Sequence, residues 1–152
     1  MPDPISFTSA SPRHALALLF AGQTQKEFFF NDTVARIDAL LHPAVEGVDS
    51  APPSSPAAGE SWLVGGTPTG AWADHAGELA CFTAGAWIFL EPREGMQVLD
   101  SSTGGFVLYR DGTWSAATAP AAPTGGTTVD AEARTAITGL IAALADAGIF
   151  AA

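Results

Sequence analysis

Positively charged residues are scarce in this sequence. Its 152 residues include only 6 Lys and Arg against 16 Asp and Glu, which gives a formal net charge of −10 at pH 7. The basic residues are spread singly along the chain, so no basic stripe exists that could neutralise a row of phosphates. The composition therefore disfavours binding to nucleic acids and to anionic membranes. A cationic partner or a neutral polar ligand such as a glycan remains compatible with it.

The spacings of known catalytic and metal sites are also missing. Cys81 is the only cysteine, so no intramolecular disulfide can form. His14, His42 and His75 lie far apart and lack the ligand spacing of a zinc site. The glycine-rich stretch 65–70 lacks the Lys-Ser/Thr pair of a phosphate-binding loop. We therefore expect a protein that is not an enzyme and that holds no cofactor and no metal.

Long apolar runs and charged residues are both in short supply. No stretch approaches the ~20 residues of a transmembrane helix, and the Met-Pro-Asp-Pro start does not resemble a signal peptide. Hydrophobic residues make up 47% of the chain, but charged residues only 14%, well below the ~25% of an average soluble domain. Such a chain is expected to have part of its surface covered by other chains in an assembly.

Two changes in composition divide the chain and predict an elongated α+β protein. The prolines of 51–58 and the Ala/Pro/Gly/Thr-rich stretch 116–127 favour extended linkers rather than regular structure. The predicted segments are a helical N-terminal segment at 1–50, the first linker, a small antiparallel Trp-rich β domain at 59–115, the second linker, and an oligomerising, coiled-coil-like helix at 128–152.

The clearest N-terminal helix is predicted from Asn31 to Leu41. Asn31 or Asp32 could cap its first N–H groups, and Pro43 would close it. Apolar residues at helical spacing are expected to form its buried face, with charged residues on the other side. The apolar set is Val34, Ile37, Leu41 and Leu40, and the charged pair is Arg36 and Asp38.

The pattern in the middle of the chain predicts six short strands separated by turn residues. Asp111-Gly112 is the strongest local signal, because both residues tolerate the positive φ angles of a type I′ hairpin turn. The predicted strands are Ser61–Val64, Glu78–Thr83, Ala86–Leu90, Met96–Asp100, Phe106–Arg110 and Thr113–Ser115.

The last helix is predicted from Thr128 to about Gly148, with Thr128 or Asp130 as its cap and Gly148 as its end. Its apolar residues repeat at spacings of 4, 3, 4 and 3, which indicates a heptad seam. The helix could fold back on its own domain, or copies from neighbouring chains could pack on each other, and we favour the second. The seam residues are Ala133, Ile137, Leu140, Leu144 and Ala147, and the oligomerisation residues we select are Ile137, Leu140, Ile141 and Leu144.

The aromatic residues of the β domain favour a small core. We expect Trp62, Trp72, Trp87 and Trp114 to form it with Tyr109 and nearby phenylalanines, and of these Trp72 and Trp114 adjoin loops. An exposed indole could instead stack on the apolar face of a sugar ring. The residues that we consider for glycan contact are Trp72, Trp114 and Tyr109.

Several motifs carry a family resemblance. They are Ala21-Gly-Gln-Thr-Gln-Lys-Glu27, Asn31-Asp32, Ala35-Arg-Ile-Asp-Ala-Leu-Leu41, Gly59-Glu-Ser-Trp-Leu-Val64 and Pro92-Arg-Glu-Gly-Met96. With them, roughly residues 10–115 resemble a domain of unknown function that occurs in phage and prophage tail modules and in gene transfer agents. Asp32 and Ile37 stand where Glu and Leu are usual. The end of the chain resembles a separate C-terminal helix seen on many phage tail proteins.

The resemblance implies a structural subunit of a virion or gene transfer agent tail fibre or tail tip. The chain would form a homo-oligomer, with a trimer favoured, and would contribute to attachment to the host surface. It would be made in the bacterial cytoplasm, assembled with tail or baseplate proteins and released with the particle. The tail-docking residues would be Gln23, Gln25, Lys26, Glu27, Asn31 and Arg36.

Two other functions stay open. One is a soluble module that binds host surface polysaccharide without a structural role. The other, least favoured, is a polysaccharide hydrolase, which needs two carboxylates facing each other across a sugar. The carboxylates available for it in the predicted β domain are Glu60, Asp74, Glu78, Glu91 and Glu94.

Overall fold

The computed structural model describes Leu18 and residues 26–150, and it confirms the predicted α+β class. Among the described residues, one α-helix precedes eight short strands in the chain and a second follows them, and a 3₁₀ helix at Gly70–Trp72 follows the third strand. The elements are α1 (Lys26–Leu40), β1 (Ala44–Val45), β2 (Val48–Asp49), β3 (Ser61–Val64), β4 (Leu79–Thr83), β5 (Ala86–Leu90), β6 (Gln97–Asp100), β7 (Gly105–Arg110), β8 (Thr113–Ala116) and α2 (Ala131–Asp146). No helix of the described residues is long and apolar enough to cross a membrane.

The chain folds into two compact units, each with its own four-stranded sheet. Unit 1 contains α1 and the sheet ordered β2-β3-β4-β5. Unit 2 contains the sheet ordered β1-β6-β7-β8 and α2, and it takes residues 44–47 and those from Pro92 onward. The strands of residues 59–115, predicted as one β domain, are therefore shared between the two units.

Hairpins account for most of the strand pairing. β4 and β5 are joined by Ala84-Gly85, and β7 and β8 by Asp111-Gly112. Both residues of each loop have positive φ angles, 51° and 80° in the first and 50° and 78° in the second. These are the signs of a type I′ turn, whose twist matches that of the flanking strands. The Asp111-Gly112 prediction is confirmed, and all six predicted strands are present with their ends shifted by one residue at most.

The expectation of a purely antiparallel arrangement needs correction, because each sheet is mixed. β1 pairs in parallel with β6, and β2 pairs in parallel with β3. The remaining pairs are antiparallel. Both parallel strands are two residues long and come from residues 44–49, which we predicted as part of the helical segment.

Tryptophans build a core on one face of the unit 1 sheet. Trp72, which ends the 3₁₀ helix, has no exposed surface and lies with Val64 and Ala80. Its ring centroid is 5.1 Å from that of Trp87, nearly perpendicular to it, and 6.3 Å from that of Trp62. Three of the four tryptophans therefore form the predicted aromatic core, whereas Trp114 and Tyr109 belong to unit 2.

The core of unit 2 is smaller and mostly aliphatic. Val45, Val98 and Val107 are buried along its sheet. Asp100 is buried beside them, and its carboxylate accepts hydrogen bonds from the Ser102 N–H at 2.9 Å and the Ser102 hydroxyl at 2.6 Å. These bonds stabilise the turn that leads into β7, and they satisfy a charge that would be costly to bury alone.

The buried face of helix α1 differs from the face that its apolar spacing predicts. Val34 is buried as expected, but Ile37 remains 45% exposed and Asp38 is only 2% exposed. Asn31 and Asp32 lie inside the helix, so they do not cap it. The buried face is thus rotated towards Asp38 and Ala39, and apolar side chains are left at the surface.

Helix α2 has a well-defined structure at both ends. The carboxylate of Asp130 accepts a hydrogen bond of 2.8 Å from the Ala133 N–H, so Asp130 is the cap rather than Thr128. At the other end Gly148 has a φ of 74°, its N–H donates to the Ala145 carbonyl, and the Ile149 N–H donates to the Leu144 carbonyl. This pair of bonds is a Schellman motif, in which glycine at the left-handed position closes the helix.

The residues after α2 bind back to the sheet of unit 2. The Phe106 N–H donates to the Gly148 carbonyl at 2.8 Å, and Phe150 forms a parallel bridge with Ala117. We call Gly148–Phe150 the C-terminal latch. It fixes one end of α2 against β7 and against the residue that follows β8.

Candidate functional site

The residues predicted to dock to a tail fall at the start of the described chain. Gln23 and Gln25 lie outside the described residues. Lys26 and Glu27 open α1, and Asn31 is half-buried one turn further on. Arg36 is exposed, and the structure gives it two bonds within unit 1.

Arg36 links α1 to the sheet of unit 1. Its Nε donates to the Asp32 carboxylate at 3.0 Å, one helical turn earlier, and its Nη1 donates to the Phe89 carbonyl at 3.2 Å. Both side chains of the ion pair are nearly half exposed, so the pair itself contributes little to stability. The bond to Phe89 orients the helix on β5, which gives Arg36 a structural role beside the predicted docking role.

An apolar patch lies on the outer side of α1. Its members are large side chains that each expose two fifths or more of their surface. Such a row would gain hydrophobic free energy if another surface covered it. We call Phe30, Ile37, Leu40 and Leu41 the α1 patch.

Trp72 must be withdrawn from the residues considered for glycan contact. Its ring is completely buried among Trp62, Trp87 and Val64, so it offers no face to a sugar. Its Nε1–H has no hydrogen-bond partner among the described residues. The position next to a loop in the sequence suggested exposure, but the 3₁₀ helix at Gly70–Trp72 turns the side chain inward.

Trp114 and Tyr109 face each other across the hairpin of unit 2. They are directly paired between β7 and β8, with ring centroids 5.2 Å apart, and both are half-buried. The Glu94 carboxylate accepts a hydrogen bond of 3.1 Å from the Asp111 N–H and so braces the hairpin tip. The structure therefore brings together two of the three aromatic residues predicted for ligand contact.

The carboxylates considered for hydrolysis make polar contacts mainly with residues nearby in the sequence. Glu60 accepts from the Ala57 N–H and from Trp62 Nε1, each at 2.8 Å. Glu78 lies 3.1 Å from His75 Nδ1. These contacts organise turns around the sheet of unit 1. Among the described residues, no group of three His, Cys, Asp or Glu could hold a metal ion.

His75 takes part in a contact that sequence reasoning missed. Its ring lies flat on the ring of Phe89, with centroids 3.6 Å apart and planes 2° from parallel. The backbone N–H of His75 donates to the Trp72 carbonyl, so the turn after the 3₁₀ helix folds over the sheet. The histidine and the phenylalanine are 14 positions apart, and they become neighbours because the turn between the 3₁₀ helix and β4 lies against β5.

The four residues selected for oligomerisation divide into two pairs. Ile137 and Leu140 are exposed, whereas Ile141 and Leu144 are half-buried. The helix thus keeps part of its predicted seam at the surface and turns the other part inward. No residue of α2 is fully buried.

Comparison with known proteins places most of the chain in a family. The model of a family described as a protein of unknown function (DUF2793) matches residues 30–115. The match covers more than half of the 152 residues and runs from α1 to β8. No curated protein matches the chain.

Proposed function

The chain belongs to the DUF2793 family, and from that premise we propose that it is a structural subunit of a phage-like or gene transfer agent tail. In this proposal the chain acts as a homo-oligomer, with three copies favoured. Residues of α1 and those that precede it dock to a tail or baseplate protein. The particle, once released, carries the subunit to the host surface.

The exposed apolar residues on both helices carry this proposal. The α1 patch places four large apolar side chains at the surface of unit 1, and Ile137 and Leu140 do the same in unit 2. Covering such side chains would gain hydrophobic free energy, and an assembly component buries them against other chains. The low content of charged residues, 14%, supports the same conclusion.

The proposal predicts that a charge in the α1 patch removes the subunit from particles. We expect Ile37→Glu to fold as the wild type does, because the side chain is already 45% exposed. Docking should fail, because burying an unpaired carboxylate costs several kcal/mol. The measurement is the amount of chain in purified particles, by immunoblot, in a strain whose own copy is deleted. Further substitutions should avoid residues 44–49, which follow α1, because these residues supply one strand to each sheet.

A matched control is Thr67→Glu, which adds the same charge at an exposed loop position of unit 1. It should leave incorporation unchanged. If particles contain as much Ile37→Glu chain as wild type, α1 is not the docking element. If no phage-like particle of the source bacterium contains the wild-type chain, the tail function itself is wrong.

A second candidate function is glycan binding at the hairpin of unit 2. The observation that favours it is the half-buried Tyr109 and Trp114 pair, braced by Glu94. Here Trp114→Ala should abolish binding on a glycan array, while Trp114→Phe should retain much of it because a ring face remains. Equal binding by wild type and Trp114→Ala would eliminate this pair as the contact.

A further inference from the structure

The outer edge of β5 leaves backbone groups open. β5 is the last strand in the sheet of unit 1 and pairs only with β4. The residue after the type I′ turn, Ala86, exchanges hydrogen bonds with the opposite strand, and such bonding alternates along an antiparallel pair. Ile88 and Leu90 therefore also bond to β4. The backbone groups of Trp87 and Phe89 point the other way, out of the sheet.

A hydrogen bond from Arg36 supports this orientation of β5. The Arg36 Nη1 reaches the Phe89 carbonyl at 3.2 Å from α1, which is not part of the sheet. Within the described part of the chain, the N–H and C=O of Trp87 and the N–H of Phe89 have no hydrogen-bond partner. We call these three groups the β5 edge.

The other sheet edges of the described residues are protected. β1 and β2 have two residues each, and β2 ends with the charged Asp49. β8 carries polar side chains at Thr113 and Ser115, and the C-terminal latch bridges Ala117 directly after it. β5 has five residues, none of them charged or proline, and it pairs with β4 without a bulge. An edge of this kind is a ready template for another strand.

We propose that the β5 edge binds an extended segment of another protein, which adds a strand to the sheet of unit 1. Strand addition takes its affinity from main-chain hydrogen bonds, so a short segment binds without a large apolar interface. The inference goes beyond the proposed function, because it holds whether or not the partner belongs to a tail.

The side chains of β5 define the centre of the segment. Trp87, Ile88 and Phe89 are half-buried, so each keeps surface that a neighbouring strand would cover. Aromatic residues pair favourably with β-branched residues across strands. The bound segment should therefore be rich in Val, Ile and Thr and should carry no charge at its centre.

Charge defines the ends of the segment and disfavours a second copy of this chain. The formal net charge of −10 repels an acidic segment and any further copy, and it attracts lysine and arginine. Close to the edge, Arg36 is paired with Asp32, and the exposed Glu91 directly follows β5. We therefore expect basic residues at the ends of the segment.

The test uses the full chain and a short synthetic peptide in which Val and Thr alternate between terminal lysines. Hydrogen exchange followed by NMR should show that the Trp87 and Phe89 amides gain protection when the peptide is added. The Ile88 amide should not change, because it already donates to β4. A peptide that contacts the protein elsewhere would not produce this alternation along one strand.

Modified peptides separate strand addition from other contacts. A peptide methylated at every second backbone nitrogen keeps one edge of N–H groups and should still bind. A peptide methylated at every central nitrogen has no such edge and should not bind. Replacing the terminal lysines by glutamates should weaken binding, because the protein is acidic.

Arg36→Ala should strengthen binding of the lysine peptide roughly two- to tenfold, the usual net effect of one hydrogen bond, because the Phe89 carbonyl becomes available. The substitution also removes a positive charge. Arg110→Ala removes the same charge at an exposed position of unit 2 and should leave the affinity nearly unchanged. Equal strengthening by the two substitutions would contradict binding at the β5 edge.

The remaining outcomes decide the occupant. No protection of the Trp87 and Phe89 amides at millimolar peptide overturns the inference and leaves docking through α1 as proposed. Equal binding of the two methylated peptides also overturns it, since side chains alone would then hold the peptide. If both amides are protected without peptide in an oligomer that forms as concentration rises, a second copy occupies the edge, and the assignment to a basic partner is wrong.

Discussion

Replacing Trp72 by alanine should lower the free energy of unfolding of unit 1 by about 3–5 kcal/mol, the usual cost of removing a large buried aromatic ring. The ring is fully buried and touches Val64, Ala80 and two further tryptophans, so no neighbour can easily fill the space it leaves. A loss of this size is a large share of the ~5–15 kcal/mol that stabilises a typical domain.

Two further substitutions make this prediction specific. Trp72→Phe should cost much less, because it keeps an aromatic ring and removes a buried N–H with no partner among the described residues, whose burial costs ~1–3 kcal/mol. Trp114→Ala should also cost less, since that ring is only half-buried in unit 2. Urea unfolding followed by tryptophan fluorescence measures all three, and Trp62 and Trp87 still report on unit 1. Equal losses for Trp72→Ala and Trp114→Ala would contradict the assigned core.

Sequence patterns predicted the strands because their signals are local. In each hairpin, two residues set the turn, and the alternation of side chains then fixes which residues pair. Asp111-Gly112 is recognisable because both residue types tolerate positive φ. Ala84-Gly85 makes the same turn, and its glycine alone marks it in the sequence. The N-cap and the closing glycine of α2 were predictable for the same reason, since both act within one helical turn.

The parallel strands could not be predicted in this way. β1 and β2 are two residues long, too short to show any alternation, and their partners are 15 to 55 positions away. Their pairing depends on how the chain closes over long loops and not on local preference. The strands divide between two sheets because β5 and β6 do not pair although they are neighbours in the chain, and sequence reasoning therefore merged them into one β domain.

Helix faces were predicted less well than helices. The spacing of Ile37 and Leu41 suggested that they would be buried, but Asp38 lies inward and the α1 patch lies outward. On α2, spacing alone could not separate Leu140 from Leu144. An apolar repeat shows that a helix has something to bury, but it does not show whether the partner is the same chain or another one.

The candidate site was therefore only partly visible in the sequence. The tryptophans were recognisable as important, but burial divides them: Trp72 belongs to a core, and Trp114 lies at a hairpin with Tyr109. The burial of Trp72 depends on the 3₁₀ helix at Gly70–Trp72, which turns the side chain inward and which the sequence did not reveal.

Replacing Gly148 by alanine should release the C-terminal latch and lower the stability of unit 2 by about 1–3 kcal/mol, the usual range for a strained non-glycine backbone. Gly148 has a φ of 74°, which disfavours any residue with a side chain. An added Cβ would also lie 3.3 Å from the Gly104 carbonyl oxygen and from the Phe106 ring. The Schellman bonds and the bond from Phe106 would weaken together, because all of them depend on this one residue.

Replacing Gly139 by alanine in the same helix should have the opposite effect on stability. Its Cβ would meet nothing within 4 Å, and alanine in a helix interior is favoured over glycine by about 0.5–1 kcal/mol. The midpoint temperature of thermal unfolding, followed by circular dichroism at 222 nm, should therefore fall for Gly148→Ala and rise for Gly139→Ala. Hydrogen exchange locates the cause, because the Phe106 and Ile149 amides should lose protection only in Gly148→Ala. Unchanged protection of both amides would mean that the latch does not hold α2 to its sheet, and that α2 is positioned by other contacts.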